Sequence, residues 1–438
     1  MPHKITIIGG GSSTFTPQLM QLFIASQPLR GSTITLMDVD AGRLQVMDTL
    51  SRQLVAKLGA DLHVESTTDR RAALKGADFV IAAISVGGMD AWEKDIEIPA
   101  TYGISMPIAD SIGPGGMMRA FRHIPVLAQV ARDVAELAPE AWVFNYTNPL
   151  TSNVTAMLRA APVRAVGLCT CSSIPRFPAY LAAALDVEPE ELALPALAAG
   201  LNHCAAIVSL RLKDGRDGLA LARDRVEDPV MRWGLETYGV WPYCAGHWTE
   251  FYPSLTRLGE PYKGRLQGLR MQFLERVHDM DHERERSRHW SELATRLAAG
   301  EEELNLDVLP KDEMVQVVQL MECLLTNREE IHAVNVRNVG AIPNLPADAV
   351  VEVSSLVNAY GFQPLQMPAL PEAVAANLRL HITVQQLTVE AALSGDRRTA
   401  LQAFLLDPQI SSKLTPQETG KLLDELLKAH APYLPTFA

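Results

Sequence analysis

The chain has 438 residues, 47% of them apolar and 21% charged, enough to bury a large core shared by two lobes. Its formal charge of −12 excludes nucleic acid or an anionic membrane as the main partner, because both would be repelled. No apolar run reaches the length of a membrane span, and five cysteines without framework spacing do not form a disulfide scaffold, so a reducing, cytoplasmic setting is expected.

The start, MPHKITIIGGG, turns into glycines after a few strand-like residues and does not read as a signal peptide. Lys4–Ile8 predicts a first strand, followed by glycines and an amphipathic stretch, Pro17–Ala25. Ser32–Met37 predicts the second strand, Ala41–Gly59 a helix, and Asp78–Ser85 a third, buried strand. Met117–Leu137 predicts a long helix in which Pro125 marks a kink or a junction of two helices. Trp142–Tyr146 and Val163–Leu168 complete the strand series. Strands alternating with helices imply a doubly wound parallel sheet, an α/β Rossmann-type domain over residues 1–195.

Residues 196–438 predict a mixed α/β domain packed against the first rather than tethered to it. ALAAGLNHCAAIVSLRL reads as strand, loop, strand, and Asp217–Tyr238 as irregular or helical. Tyr262–Ala299 is charged and helical, and its run HDMDHERERSRHW is expected to be a solvated face. VNVRNVGAIPNLPADAVVEVSSLV is mixed and precedes helices that run to the C-terminus.

IIGGGSSTFTP follows the first strand and opens the first helix. Gly9 and Gly11 give the tight turn and close backbone approach that a pyrophosphate needs, although Thr14 stands where the usual third glycine would be. Asp38 ends the second strand, where an acid binds a ribose hydroxyl and disfavours a 2′-phosphate, so NAD is the expected cofactor. Ser12 on the turn and Asn145 at the end of the fourth predicted strand join this cofactor set. Gly113-Pro114-Gly115-Gly116 precedes a helix and fits a ligand-facing turn or a plain helix start equally well.

Asn145 and Asn148 in VFNYTNP, and Cys169 in GLCTC, fall at carboxyl ends of strands, where doubly wound sheets bind ligands. His203, in GLNHC, lies 34 residues beyond Cys169. The pair could hold a divalent metal, but by itself such a histidine reads first as a hydrogen-bonded core side chain. ETYGVWPYCAGHWTEFYP gathers Tyr243, Cys244, His247, Glu250 and Tyr252, which suits an active-site loop or an aromatic core segment.

Taken together, KITIIGGGSS, GPGGMMRAFRHIPV, NYTNP, the cysteine of GLC, GLNH and NVGAIPNLPADAVVEV resemble the family-4 glycoside hydrolases over nearly the whole chain. The HWTEF segment, with His247 and Glu250, is similar to the subgroup acting on unphosphorylated α-glycosides, and DSIGPGGMMRAFRHIPV to α-galacturonidase-like members. The resemblance implies a lactate/malate dehydrogenase-like fold, NAD and a divalent metal, typically Mn2+, and a departure from two-carboxylate glycosidases. It implies that NAD oxidises the sugar at C3, that a base removes the acidified C2 proton, and that the glycosidic oxygen leaves from C1. Water then adds and the hydride returns to C3.

By the same resemblance Cys169 and His203 hold the metal, overturning the core reading of His203. Asn148 positions sugar or metal, Asp110 holds a hydroxyl, and Glu250 contacts substrate. Tyr243 is the expected base, with His247 as its rival. An α-uronide would need a cation near C5, which Arg119 or Arg122 could supply, although both fit a phosphate, the cofactor or plain salt bridges equally well. Thr170 and Cys171 depart from the subgroup, which usually has a histidine directly after the metal cysteine. A homodimer or homotetramer is expected, with metal, substrate and oligomer contacts assigned to the second domain. The alternatives are a simple NAD-dependent sugar or hydroxy-acid dehydrogenase and a non-catalytic NAD- or sugar-binding homologue.

Overall fold

The computed structural model describes residues 2–106, 108–256, 280–302 and 315–437. Six strands run in parallel: β1 (Lys4–Ile8), β2 (Thr33–Met37), β3 (His63–Thr67), β4 (Phe79–Ala82), β5 (Trp142–Asn145) and β6 (Arg164–Gly167). Their order is β3-β2-β1-β4-β5-β6, so the winding reverses between β1 and β4. The connecting helices are α1 (Phe15–Ala25), α2 (Ala41–Lys57), α3 (Arg70–Leu74), α4 (Gly88–Thr101), α5 (Gly113–Leu137) and α6 (Leu150–Ala160). Alternate strand residues feed two separate cores. Ile5, Ile7, Ile34, Leu36, Ile81 and Phe144 pack on one face, and Ile8, Met37, Val80, Ala82 and Val143 on the other. Both faces are covered, which is why these strands read as nearly continuous apolar runs.

Two expectations change. His63–Thr67 adds an edge strand, so the buried run Phe79–Ala82 is the fourth strand rather than the third. A single helix, α5, runs through Pro125 from Gly113 to Leu137 instead of dividing there.

The second half continues the same sheet. β10 (Glu330–Arg337) pairs antiparallel with β6 at Asn335 and Gly167. Beyond it follow β11 (Val350–Asn358), β7 (Leu192–Leu201), β8 (Cys204–Leu212) and β9 (Trp241–Pro242), all antiparallel, with β12 (Gly361–Pro364) beside β11. The Asp217–Tyr238 stretch forms two helices, Gly218–Arg225 and Pro229–Tyr238. The Glu372–Ser394 helix packs on α5 and α6, and the Pro416–His430 helix on α4. Arg122 joins these layers: it is buried, paired with Asp95 at 2.6 and 2.8 Å, and 3.2 Å from His430. A charge buried here is tolerable because its donors are hydrogen-bonded.

The charged segment also differs from expectation. Residues 257–279 lie outside the described residues, but the Met280–Ala299 helix does not merely face solvent. Arg284 pairs with Asp90 and Glu93 of α4, at 2.8 and 2.6 Å. Ser287, Ser291 and Thr295, spaced by four residues on one face, border the cleft described below.

His381, fully buried in the Glu372–Ser394 helix, contacts the Phe251 carbonyl through Nε2 at 3.2 Å. Burial pushes its pKa down from 6.5 to about 4. The unfolded chain therefore takes up this proton before the folded one does, so the stability held above pH 6.5 is lost as pH falls towards 4. Urea denaturation of His381→Gln is expected to lose up to about 3 kcal/mol of the pH dependence across that window. An unchanged dependence would show that His381 is not buried neutral.

Candidate functional site

A cleft of about 760 Å³ lies beyond the carboxyl ends of β1, β2, β4 and β5 and is bordered by Gly9, Gly11, Ser12, Asp38, Arg119 and Asn148. Gly9 has φ +98°, and a Cβ there would stand 2.1 Å from the Ala83 carbonyl oxygen. A Cβ on Gly11 would lie 2.9 Å from Asp38 Oδ2, the atom to which the Gly11 amide donates at 2.9 Å. Asp38 Oδ1 accepts from the Asp40 amide at 3.0 Å, so the acid is fixed at the cleft edge. Ser12 Oγ accepts from the Phe15 amide at the start of α1. A side-chain-free turn, a helix N-terminus and a fixed acid fit the phosphates and ribose of a dinucleotide. Asn145 does not border the cleft. Fully buried, it hydrogen-bonds back to the Thr147 backbone, so it shapes the loop instead of touching a cofactor.

Asn148, which borders this cleft, is held by Asp110, a carboxylate 9% exposed. The Asp110 loop is pressed against the first turn of α5, where a Cβ on Gly116 would lie 2.5 Å from the Ser111 carbonyl carbon. The GPGG turn thus makes room for protein, which decides between its two readings. Asp110 accepts from Asn148 Nδ2 at 2.7 Å and from Ser111 Oγ at 2.6 Å. Ser111 Oγ also lies 2.7 Å from His203 Nδ1. His247 Nε2 is 3.6 Å from Asp110 Oδ1, and the His203 and His247 rings stack with centroids 3.6 Å apart. Burial opposes ionisation of Asp110, but the His247 bond and the charges of His247, His203 and Arg119 hold its carboxyl well below the usual range. Burial works against His247 becoming charged too; the bond and charge of Asp110 outweigh it and raise its pKa.

The backbone brings these groups together. His203 occupies the tight turn between β7 and β8 with φ +67°, unusual for a residue with a side chain. Asn202 anchors that turn by donating to Glu352 at 3.1 Å. His123, buried in α5, lies 2.6 Å from the Asn148 carbonyl through Nδ1 and accepts from the Val86 amide through Nε2. It ties the loops after β4 and β5 to each other.

Cys169 follows β6 by two residues, is buried, and lies outside the ligand group formed by His203, Cys244 and His247. Its contact with Cys171, reinforced by burial, pushes its thiol well up. Cys244 Sγ is 3.0 Å from Cys171 Sγ and 3.3 Å from His247 Nδ1. One ligand atom each of His203, Cys244 and His247 falls within 4.8 Å of the others. Sulfur and imidazole donors so clustered suit a divalent transition ion. A second group, Cys323, Glu330 and His332, is a poorer candidate, because Arg176 and Arg328 already pair with Glu330 at 2.6 and 2.8 Å. Two cations there would repel a third.

Three expected roles are revised. Tyr243, expected as base, is 3% exposed and donates its hydroxyl to Glu352. Burial, with the adjacent carboxylate, pushes its phenol well up, so it is a poor proton acceptor. Glu250, expected on substrate, is fully buried and accepts from the Ile108 and Ala109 amides at 2.6 and 2.8 Å. It therefore props the loop that carries Asp110. Arg122 is committed to Asp95. Arg119 borders the cleft, lies over the Trp92 ring at 5.8 Å, and has no ion pair within 4 Å among the described residues. The sequence reading overlooked Ser111 and Glu352. The signal for Glu352 was a carboxylate in the middle of the apolar run VVEVSS, where burial without partners would be costly.

Glu250→Ala would leave two buried amides without an acceptor, an expected loss of about 2–5 kcal/mol in urea denaturation. Glu250→Gln keeps an oxygen for both and is expected to retain most of that stability. Equal losses in the two variants would contradict this role.

Comparison with known proteins agrees with the geometry. Residues 4–174 match the Family 4 glycosyl hydrolase profile, and residues 198–410 match the Family 4 glycosyl hydrolase C-terminal domain. The chain is 30% identical to an alpha-galactosidase of Bacillus subtilis over 444 residues, 99% of each chain. It is 29% identical to an alpha-galacturonidase of Thermoanaerobacterium saccharolyticum over 473 residues, covering 99% of this chain and 97% of that one. The 6-phospho-beta glucosidase of Thermotoga maritima, solved with manganese, NAD+ and glucose-6-phosphate, has the same fold, with TM-score 0.80, 21% identity and 99% of each chain covered. With both halves matched in order, this chain belongs to glycoside hydrolase family 4.

Proposed function

We propose that this glycoside hydrolase cleaves unphosphorylated α-glycosides carrying a carboxylate at C5, with NAD in the glycine-lined cleft and a divalent cation at Cys169 and His203. The observation that carries the reading is the Asp110 cluster, which gathers Ser111, His203 and His247 with Asn148, a residue that borders the cleft. Arg119 supports the uronide: it is a cation at the cleft with no carboxylate paired to it among the described residues. The relative that acts on α-galacturonides is consistent with this choice.

When bound, NAD supplies reversible hydride acceptance at the sugar C3 and the cation Lewis-acid polarisation of the C3 oxygen, together acidifying the C2 proton. His247 Nε2 takes that proton, while Asp110, 3.6 Å away, stabilises the resulting imidazolium. Asn148 and Asp110 hold a sugar hydroxyl, and the burial of the cluster keeps bulk water from the carbanionic intermediate. The glycosidic oxygen leaves from C1 and takes up a proton, and water adds its hydroxyl at C1 and gives up its own proton in return. His247 delivers to C2 a proton that has exchanged with solvent, and the hydride returns to C3. Net hydrolysis consumes no NAD.

A screen of aryl α-galacturonides, α-glucuronides, α-glucosides and α-galactosides under reductant is expected to show NAD- and metal-dependent release of the aglycone, fastest with a uronide. Arg119→Met should lower kcat/KM for that uronide by roughly 100-fold, as expected for a lost charge-assisted contact of about 3 kcal/mol, and affect the neutral glycosides far less. Hydrolysis that persists after NAD is stripped, or equal losses on all substrates, would contradict the corresponding part of the reading.

A further inference from the structure

The Met280–Ala299 helix comes from the second half of the chain, yet it forms part of the wall of the glycine-lined cleft. Three ties fix it there, each to a different part of the first domain. Near its start, Arg284 pairs with Asp90 and Glu93 of α4 at 2.8 and 2.6 Å. In its middle, Ser291 Oγ lies 3.3 Å from the Oγ of Ser13, on the turn that carries Gly9 and Gly11. Near its end, the Ala298 carbonyl accepts from Gln53 Nε2 of α2 at 3.1 Å. From Arg284 to Ala298 the helix rises about 21 Å. It therefore runs from the α4 side of the cleft to the α2 side, passing the glycine turn between them. Leu293, Ala294 and Leu297 bury one face in the core, and Ser287, Ser291 and Thr295 border the cleft.

We propose that this helix is the outer wall of the cofactor site, where Ser291 joins Ser13 in donating to the NAD pyrophosphate and the ties to α4 and α2 slow cofactor release. The inference rests on the placement of NAD in this cleft. The chemistry gives the wall a purpose. A reaction that returns its hydride to the same carbon gains nothing from releasing NADH between the two transfers, because an oxidised sugar would then be stranded on the enzyme. A dehydrogenase that exchanges its cofactor at every turnover needs the opposite, an open cleft. The two hydroxyls suit an anion held in this way. Each has one O–H that can rotate towards a phosphate oxygen, and their mutual contact at 3.3 Å is too long to be a strong hydrogen bond. Ser291 Oγ also lies 2.9 Å from the Ser287 carbonyl, a local back-bond that it can exchange for a phosphate oxygen. One donor comes from each half of the chain, so a pyrophosphate bound between them joins the halves.

Binding of NAD to the full-length protein, measured by calorimetry, tests the proposal without turnover. Ser291→Asp sets a carboxylate against the phosphates and is expected to weaken NAD at least about tenfold. His289→Asp adds the same charge to the same helix at an exposed position that does not border the cleft, and should change the affinity by less than about twofold. Arg284→Ala, which removes the tie to α4, is expected to speed NADH dissociation in stopped-flow fluorescence at least about threefold. Hydrogen exchange of the wild type needs no substitution, so misfolding of a variant does not blunt the test. Its amides in the Met280–Ala299 helix are expected to exchange more slowly once NAD is added. NAD binding that leaves this exchange unchanged, or an equal affinity in Ser291→Asp and the wild type, would overturn this inference and leave the functional reading standing. A wild type that binds no NAD would overturn both.

Discussion

A carboxylate removed from water is costly unless donors surround it, and Asp110 meets that requirement with groups from four parts of the chain. Asn148 comes from the loop after β5, Ser111 from its own loop, His203 from the β7–β8 turn and His247 from the segment after β9. Asn148, His203 and His247 are also the candidate sugar, metal and base groups. The network that makes the buried charge tolerable is therefore the same one that places the reactive groups. Glu250 and Gly116 serve it indirectly, one by holding the amides ahead of Asp110 and the other by letting Ser111 sit against α5.

The continuous sheet makes this convergence possible. An isolated doubly wound domain would end at β6, with Cys169 at an open edge. Pairing of Gly167 with Asn335 of β10 covers that edge and brings β11 and the β7–β8 turn alongside. Glu352, central in β11, then accepts from Tyr243, Asn202 and Asn335. That second buried carboxylate holds the turn bearing His203 through Asn202. Two acids, each satisfied by hydrogen bonds, brace the histidine in its left-handed conformation.

Much of this was legible in the sequence because strong local signals coincide with the fold. β1, β2 and β4 to β6 are covered on both faces and are therefore largely apolar. The glycine turn followed by Asp38 marks the cofactor end in a single motif. β3 escaped notice because only Val64 of its five residues is buried, leaving no alternation to see. Asn145 reads as a ligand contact because polar residues at strand ends suggest one, and Tyr243 and Glu250 because they fall in a loop crowded with proton-transfer groups that resembles the family's. Their actual partners, Glu352, the 108–109 amides and the Thr147 backbone, include groups more than a hundred residues away that no local pattern can announce. Likewise, the charge run on the Met280–Ala299 helix hid the small residues by which it borders the cleft.

The central claim is that hydrolysis proceeds through transient oxidation at C3 and removal of the C2 proton, carried out by groups organised around Asp110. Turnover of an α-glycoside in deuterium oxide tests it most directly, with the free sugar examined by NMR and mass spectrometry. The account predicts deuterium at C2 of the product, introduced during turnover and absent from sugar incubated with the enzyme stripped of NAD. Release of the sugar with its original hydrogen at C2 would point to direct displacement at C1 and contradict the account.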